Sequence, residues 1–434
     1  MRFALLFFAL GVILTAQTAA APQALHIPPG AEAGPEFQTE AATRAYLNTF
    51  KPEQKARSDA YFEGGYWLEL WDLVYGAAVS ILLLGTGFSA RMRDWAERRT
   101  RWKALATWLY WAQFSLATFL LGLPWAVYEG FFRERQYGLM NQTFGAWMVD
   151  QGKSQAIEIV LGGLAAMALF GIVRRLPRGW PYAGASAAIV FIMIGALIGP
   201  VFLAPMFNKY AVLQDATIRD PILRLARQNG IPASQVYQVD ASRQSNRVSA
   251  NVSGFLGTDR ITLNDNLLRR CSPEAIMAVM GHEMGHYVLN HVYKMISFLT
   301  ILAVAYFAGL KALLEWSLGR WGGRWGIRGI GDTAVLPLAM LILSLLSFLA
   351  TPVQNTLTRT QEYEADIFGL NTARQPDGFA EAALLLGEYR KLEPGRVEEW
   401  IFFDHPSGRT RIRAAMRWKA ENQCAGIAAS PCPR

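Results

Sequence analysis

The stretch YAGASAAIVFIMIGALIGPVFLAPM, Tyr182–Met206, carries no charged residue and is long enough to cross the hydrocarbon core of a bilayer as a helix. Its length, too great for an ordinary strand and suited to a membrane helix, decides the fold class. Further apolar spans lie at residues 67–89, 102–128, 154–176, 296–316 and 334–357. Trp67, Trp71, Trp102, Trp180 and Trp316 stand at span ends, as aromatic belts at the membrane interface do. Pro124, Pro200 and Pro205 predict kinks or ends in the second and fourth spans.

Composition agrees with this reading. Of 434 residues, 52% are apolar and only 18% charged, a balance suited to a chain partly solvated by lipid. The net charge of +8 does not imply a nucleic-acid partner, because the basic residues concentrate in short loops between spans. Arg91, Arg93, Arg98, Arg99, Arg101 and Lys103 fill one such loop. Arg174, Arg175 and Arg178 fill the second, and Arg320, Arg324 and Arg328 the third. These loops alternate with the others, so the positive-inside rule places all three in the cytoplasm. Residues 208–295 and 358–434 then lie outside it. An early arginine, an apolar run and small residues make Met1–Ala21 a candidate secretory leader or N-terminal anchor. Cys424 and Cys432 are positioned to pair in an oxidising compartment. Together these features predict an integral protein of a bacterial inner membrane whose extramembrane domain is periplasmic.

The chain divides into a leader or anchor (1–21), an extramembrane segment (22–66), four spans (67–207), a folded domain (208–295), two spans (296–357) and a helical C-terminal part (358–434). Within the folded domain, residues 214–229 read as an amphipathic helix and Gln235–Asp240 as a strand. Val248–Gly254 and Arg260–Asn264 read as a hairpin around Gly257-Thr258-Asp259. Ser272-Pro273-Glu274 opens a helix, with serine as cap, proline in the first turn and an acid against the dipole.

That helix carries Gly281-His282-Glu283-Met284-Gly285-His286. Residues four apart share a helical face, so His282 and His286 are placed to bind one metal ion. Glu283 beside them is the candidate general base for a water, the arrangement of a zinc peptidase. Three of the five histidines, His282, His286 and His291, fall in this one stretch. Gly281 and Gly285 cost a helix interior about 1 kcal/mol each relative to alanine, which points to a close approach there. A catalytic zinc needs a third protein ligand and an open position. Glu362 and Asp366, four apart just past the last span, supply a ligand and a carboxylate for a ligating histidine. Glu364 points elsewhere on that helix, into solvent.

With both motifs placed, the chain resembles the type I CAAX prenyl protease family and, more distantly, the HtpX-like membrane proteases. The likeness extends over Gly122-Leu123-Pro124-Trp125, Tyr137-Gly138 with Asn141-Gln142-Thr143, Ala204-Pro205-Met206-Phe207, and His405-Pro406-Ser407 with Arg411. It implies a mainly α polytopic membrane protein: a ring of six or seven transmembrane helices around a chamber, with a small α+β zinc-protease domain. It also implies one Zn²⁺ on His282, His286 and Glu362, with Asp366 behind a histidine and Glu283, His405 and Arg411 catalytic. Ser249, Ala250 and Asn251 match the start of the family's substrate-aligning strand, with serine where the family has asparagine.

The expected partners are the bilayer and a peptide or protein substrate, membrane-associated or lipidated. An envelope quality-control protease without prenyl specificity is the second reading. A non-catalytic scaffold with a structural zinc is the third, and it requires a closed sphere of four protein ligands.

Overall fold

The computed structural model describes residues 23–253 and 260–423. The expected leader, the Cys424/Cys432 pair and the hairpin turn with Gly254 lie outside these residues.

The first helices are α1 (Thr39–Asn48), α2 (Pro52–Gly85), α3 (Phe88–Arg99) and α4 (Lys103–Val127). Pro124 lies inside α4, and the helix widens just beyond it into a π-helical segment, Tyr128–Arg133, that leads to α5 (Glu134–Gln136). Proline removes an internal hydrogen bond, and the wider turn accommodates that loss. Next come α6 (Phe144–Arg175) and α7 (Trp180–Ile198). The kinks expected at Pro200 and Pro205 appear as a π segment, Gly199–Leu203, and a 3₁₀ turn, Ala204–Met206.

Among the described residues, six helices are long and apolar enough to cross a membrane: Pro52–Gly85, Lys103–Gln136, Phe144–Arg175, Trp180–Met206, His291–Trp321 and Thr333–Ala373. Helix α11 (His291–Trp321) and helix α12 (Leu336–Ala373) complete this set. Contacts run from α2 to α4, α6, α7, α11, α12 and back to α2, so the six close into a ring.

The small domain is a four-stranded sheet with helices. Its strands are β1 (Tyr210–Val212), β2 (Val236–Val239), β3 (Ala250–Ser253) and β4 (Arg260–Asn264), in spatial order β1-β2-β4-β3. β2 and β4 are parallel, and the outer pairs are antiparallel. Helices α8 (Ala216–Gln228), α9 (Asp265–Arg270) and α10 (Pro273–Val288) pack their apolar faces on it around Ile222, Val236, Ile261, Leu263 and Met280. Ser272 caps α10 as its sequence predicts, accepting from the Ala275 N–H at 3.1 Å. Helices α13 (Pro376–Leu386), α14 (Arg396–Phe402) and α15 (Gly408–Asn422) form the C-terminal part.

Three boundaries differ from the sequence reading. α2 begins at Pro52, not near residue 67, and α12 runs unbroken through the boundary set at 357/358. Hydropathy marks where lipid ends, but a helix continues wherever another surface receives it. Lys55 pairs with Glu393 at 2.7 Å and Tyr66 donates to Glu398 at 2.8 Å, tying the polar start of α2 to the C-terminal part. α11 already begins at His291, within the segment assigned to the folded domain. The glycine-rich stretch at 317–333 is packed: Ile327 is buried and Arg93 donates to the Gly326 carbonyl at 2.8 Å.

Candidate metal centre

The site exists because two helix backbones touch. A Cβ placed on Gly369 of α12 would lie 2.7 Å from the His282 nitrogen, and one on Gly281 would lie 3.0 Å from the Gly369 carbonyl. One on Gly285 would lie 3.1 Å from the Ala365 Cα. Glycine at these positions lets α10 and α12 cross closely enough to bring His282 and His286 against Glu362 and Asp366.

The ligand atoms converge. The Nε2 atoms of His282 and His286 are 3.1 Å apart, and the two Glu362 oxygens lie 3.2 Å from His282 Nε2 and 3.4 Å from His286 Nε2. A four-coordinate zinc with bonds of about 2.0–2.2 Å separates its ligands by roughly 3.3–3.5 Å. Glu362 Oε2 is buried and has no hydrogen bond, although nitrogens of His282 and His405 stand 3.2 Å away. A buried carboxylate oxygen left without a hydrogen bond is costly, and a cation held between Glu362, His282 and His286 satisfies it. The donor set of two imidazoles and one carboxylate therefore fits a single catalytic zinc.

Each histidine is oriented from behind. His282 Nδ1 donates to Asp366 Oδ1 at 2.8 Å, leaving the Nε2 lone pair for a metal. Asp366 is fully buried and takes two further bonds from Arg411, at 3.0 and 2.6 Å. Arg411 thus stands on the Asp366 side of His282, away from the converging Nε2 atoms. His286 Nδ1 lies 2.9 Å from His291 Nδ1; His291 Nε2 lies 3.1 Å from Glu364 Oε2, which also accepts from Lys294 at 2.6 Å. Glu364, exposed as expected, also closes this second relay.

The charges point the same way. Burial opposes protonation of His282, but the bond to Asp366 and the nearby Glu362 carboxylate outweigh it and raise its pKa to about 9. Burial and the charge on His282 push His286 down to about 4. The pocket therefore calls for positive charge between its carboxylates. Burial pushes the Glu283 carboxyl up to about 7, the range a general base at neutral pH needs.

Glu283 and His282 open into a cavity of about 210 Å³. Ser249, Ala250, His405 and Arg411 border it, and Leu267, Val279, Phe379 and Leu386 give it an apolar interior. His405 is held by Asp404 at 2.8 Å. Ala250 and Asn251 lie on β3, the outer strand of the sheet, whose other edge pairs with no strand among the described residues; Ser249 immediately precedes it. Asn251 is exposed and does not line the cavity.

Sequence reasoning missed the roles of His291, Glu364 and Asp404. His291 had a signal, as the third histidine of its stretch. Glu364 had none, because His291 and Lys294 lie on another helix; Asp404 stands beside His405 in the sequence, but adjacency alone does not show that its carboxylate turns to the imidazole.

Two family models match the chain in succession. The model described as CAAX prenyl protease N-terminal, five membrane helices, covers residues 38–209, and that of peptidase family M48 covers residues 212–419. Four of the six candidate spans fall in the first match. An uncharacterized metalloprotease of Bacillus subtilis, YhfN, is 28% identical over 84% of this chain and 86% of its own. A protein of Oryza sativa named CAAX prenyl protease 1 homolog is 29% identical over 71% and 72%. A crystal structure of S. mikatae Ste24p superposes with a TM-score of 0.72 at 21% identity, covering 87% of this chain and 94% of that one; it shows a shared fold.

Proposed function

This chain belongs to peptidase family M48 and is a metalloendopeptidase of the membrane; from that premise we propose that it holds one zinc ion on His282, His286 and Glu362 and cleaves membrane-associated polypeptides outside the cytoplasm. The observation that carries the site is the convergence of two imidazole nitrogens, 3.1 Å apart, on the Glu362 carboxylate, whose Oε2 lies 3.2 Å from His282 and makes no hydrogen bond and whose Oε1 lies 3.4 Å from His286.

Bound zinc supplies Lewis acidity, acidifying a water and polarising the scissile carbonyl. The protein's own groups perform the rest. Asp366, held by Arg411, fixes the tautomer and plane of His282; His291 and Glu364 do the same for His286. Glu283 takes the proton of the attacking water and delivers it to the departing amine. His405 borders the same cavity and supports the developing oxyanion. Arg411 acts through Asp366. A substrate strand adds to the free edge of β3 starting at Ser249 and Ala250, with backbone hydrogen bonds setting its register. The cavity beside Glu283 then receives one aliphatic side chain of the substrate.

Sidedness separates the substrate readings. Arg93 bonds to Asp332, Arg174 to the Gly331 carbonyl and Arg328 to Glu97, so the three arginine loops meet on one face. By the positive-inside rule that face is cytoplasmic and the metal centre opens on the other side. This favours envelope and membrane polypeptides over prenylated cytosolic ones. A CAAX-type substrate is the second reading, supported by the names of the relatives. Cleavage of an unfolded membrane protein and of a farnesylated CAAX peptide by the purified protein tests the choice. Cleavage of the peptide alone would overturn the first reading. No cleavage of either substrate by protein that retains zinc would count against both.

A further inference from the structure

At the far end of the ring, away from the metal centre, a cavity of about 530 Å³ opens where α3, α4, α6 and the 322–333 segment meet. Leu336 and Glu362 are separated by roughly 40 Å of α12, taking about 1.5 Å of helix per residue, so this is a separate place on the molecule. Its charges do not balance. Arg93 is neutralised by Asp332 at 2.5 Å and Asp94 at 2.8 Å, and Arg328 by Asp94 and Glu97 at 2.8 Å each. These pairs engage all three nearby acids.

Three cations remain on the cavity wall. The Arg174 guanidinium bonds only to neutral oxygens, the Gly331 carbonyl at 2.9 Å and the Thr107 hydroxyl at 3.0 Å. Arg101 and Lys103 are exposed, and their side chains have no ion pair or hydrogen bond among the described residues. Exposed Trp102, between Arg101 and Lys103 in the sequence, and exposed Trp95 on α3 mark the depth at which lipid headgroups lie. Arginine and lysine at that depth recognise phosphate, with arginine's planar fork suited to two oxygens at once.

We propose that this cavity binds a phosphate group, either the headgroup of an anionic phospholipid or a soluble phosphate ester, through Arg101, Lys103 and Arg174. The test is native mass spectrometry of the full-length protein titrated with phosphatidylglycerol, and with phosphatidylcholine as the zwitterionic comparison. Replacing both free cations, Arg101→Gln with Lys103→Gln, removes no contact of the fold. It is expected to weaken phosphatidylglycerol binding by roughly tenfold or more, each cation near an anionic headgroup contributing several-fold. The paired control is Arg178→Gln with Arg320→Gln, exposed arginines of the same face outside the cavity, expected to change binding less than about twofold. Equal loss from both pairs would reduce the effect to diffuse surface charge and overturn the site, as would no loss from the first pair. Displacement of phosphatidylglycerol by millimolar glycerol phosphate would identify a soluble ester as ligand; resistance to it would identify the lipid. Either result supports a phosphate site.

Discussion

The crossing of α10 with α12 and the outer face of α7 obey different rules within one molecule. At the crossing, glycines bring backbones together, His282 and Asp366 are buried, and each metal-directed imidazole is oriented by a named partner. On α7, Val190, Ile192, Ile194 and Leu197 are exposed, and the apolar window of that span has none of its residues buried inside the protein. Lipid takes the place of protein there, so side-chain shape is barely specified. The metal centre is determined by close geometry, the wall by apolar character alone.

Substitutions that probe this contrast differ widely in size. Glu283→Gln keeps the shape of α10 and removes only the base; peptide cleavage should fall by about 10²–10⁴-fold while bound zinc is retained. Full activity in that variant would remove Glu283 from the chemistry. Asp366→Asn should weaken zinc about 10–100-fold, as loss of a carboxylate behind a ligating histidine does. It also leaves Arg411 buried without its charge partner, so competition with a chelator and thermal unfolding should both register the change.

Gly369→Ala forces a methyl against His282 and should cost about 1–3 kcal/mol of stability, read as a lower melting temperature, with zinc lost in parallel. Ile192→Val on the lipid face should change stability by less than about 0.5 kcal/mol. A large effect there would mean that the wall is specified as tightly as the core. Cys271 adds a last probe of the packed side. Burial pushes its thiol up to about 12, so it stays protonated across neutral and mildly alkaline pH. Iodoacetamide at pH 8 should leave Cys271 unmodified in the native protein and alkylate it after unfolding, as peptide mapping would show.

The same contrast decides what could be read from sequence. The spans were legible because lipid demands long apolar runs, and the cap at Ser272 because capping is local. Helical spacing puts His282 with His286, and Glu362 with Asp366, on one face each, but which carboxylate is turned toward the Nε2 atoms was implied only by the family resemblance. Helix ends were not. Nothing in residues 52–66 shows that the C-terminal part receives them, since Lys55 and Tyr66 meet partners more than three hundred residues away. Strand β1 was missed because three residues carry no periodicity. Glu364 is exposed, as its place on the helix predicts, but its pairing was hidden. Its direction on α12 was read correctly as away from Glu362, but Asn290, in the left-handed conformation at φ 57°, turns the chain so that His291 meets it.

The central claim is an open three-ligand zinc centre, and X-ray absorption at the zinc edge of the purified protein tests it most directly. The expected spectrum shows one zinc per chain with two imidazole nitrogens at about 2.0–2.1 Å, carboxylate oxygen, and a remaining light-atom position that exchanges with added inhibitor. A sphere closed by four protein ligands, with His405 as a third imidazole or with sulfur present, would contradict it and make the metal structural.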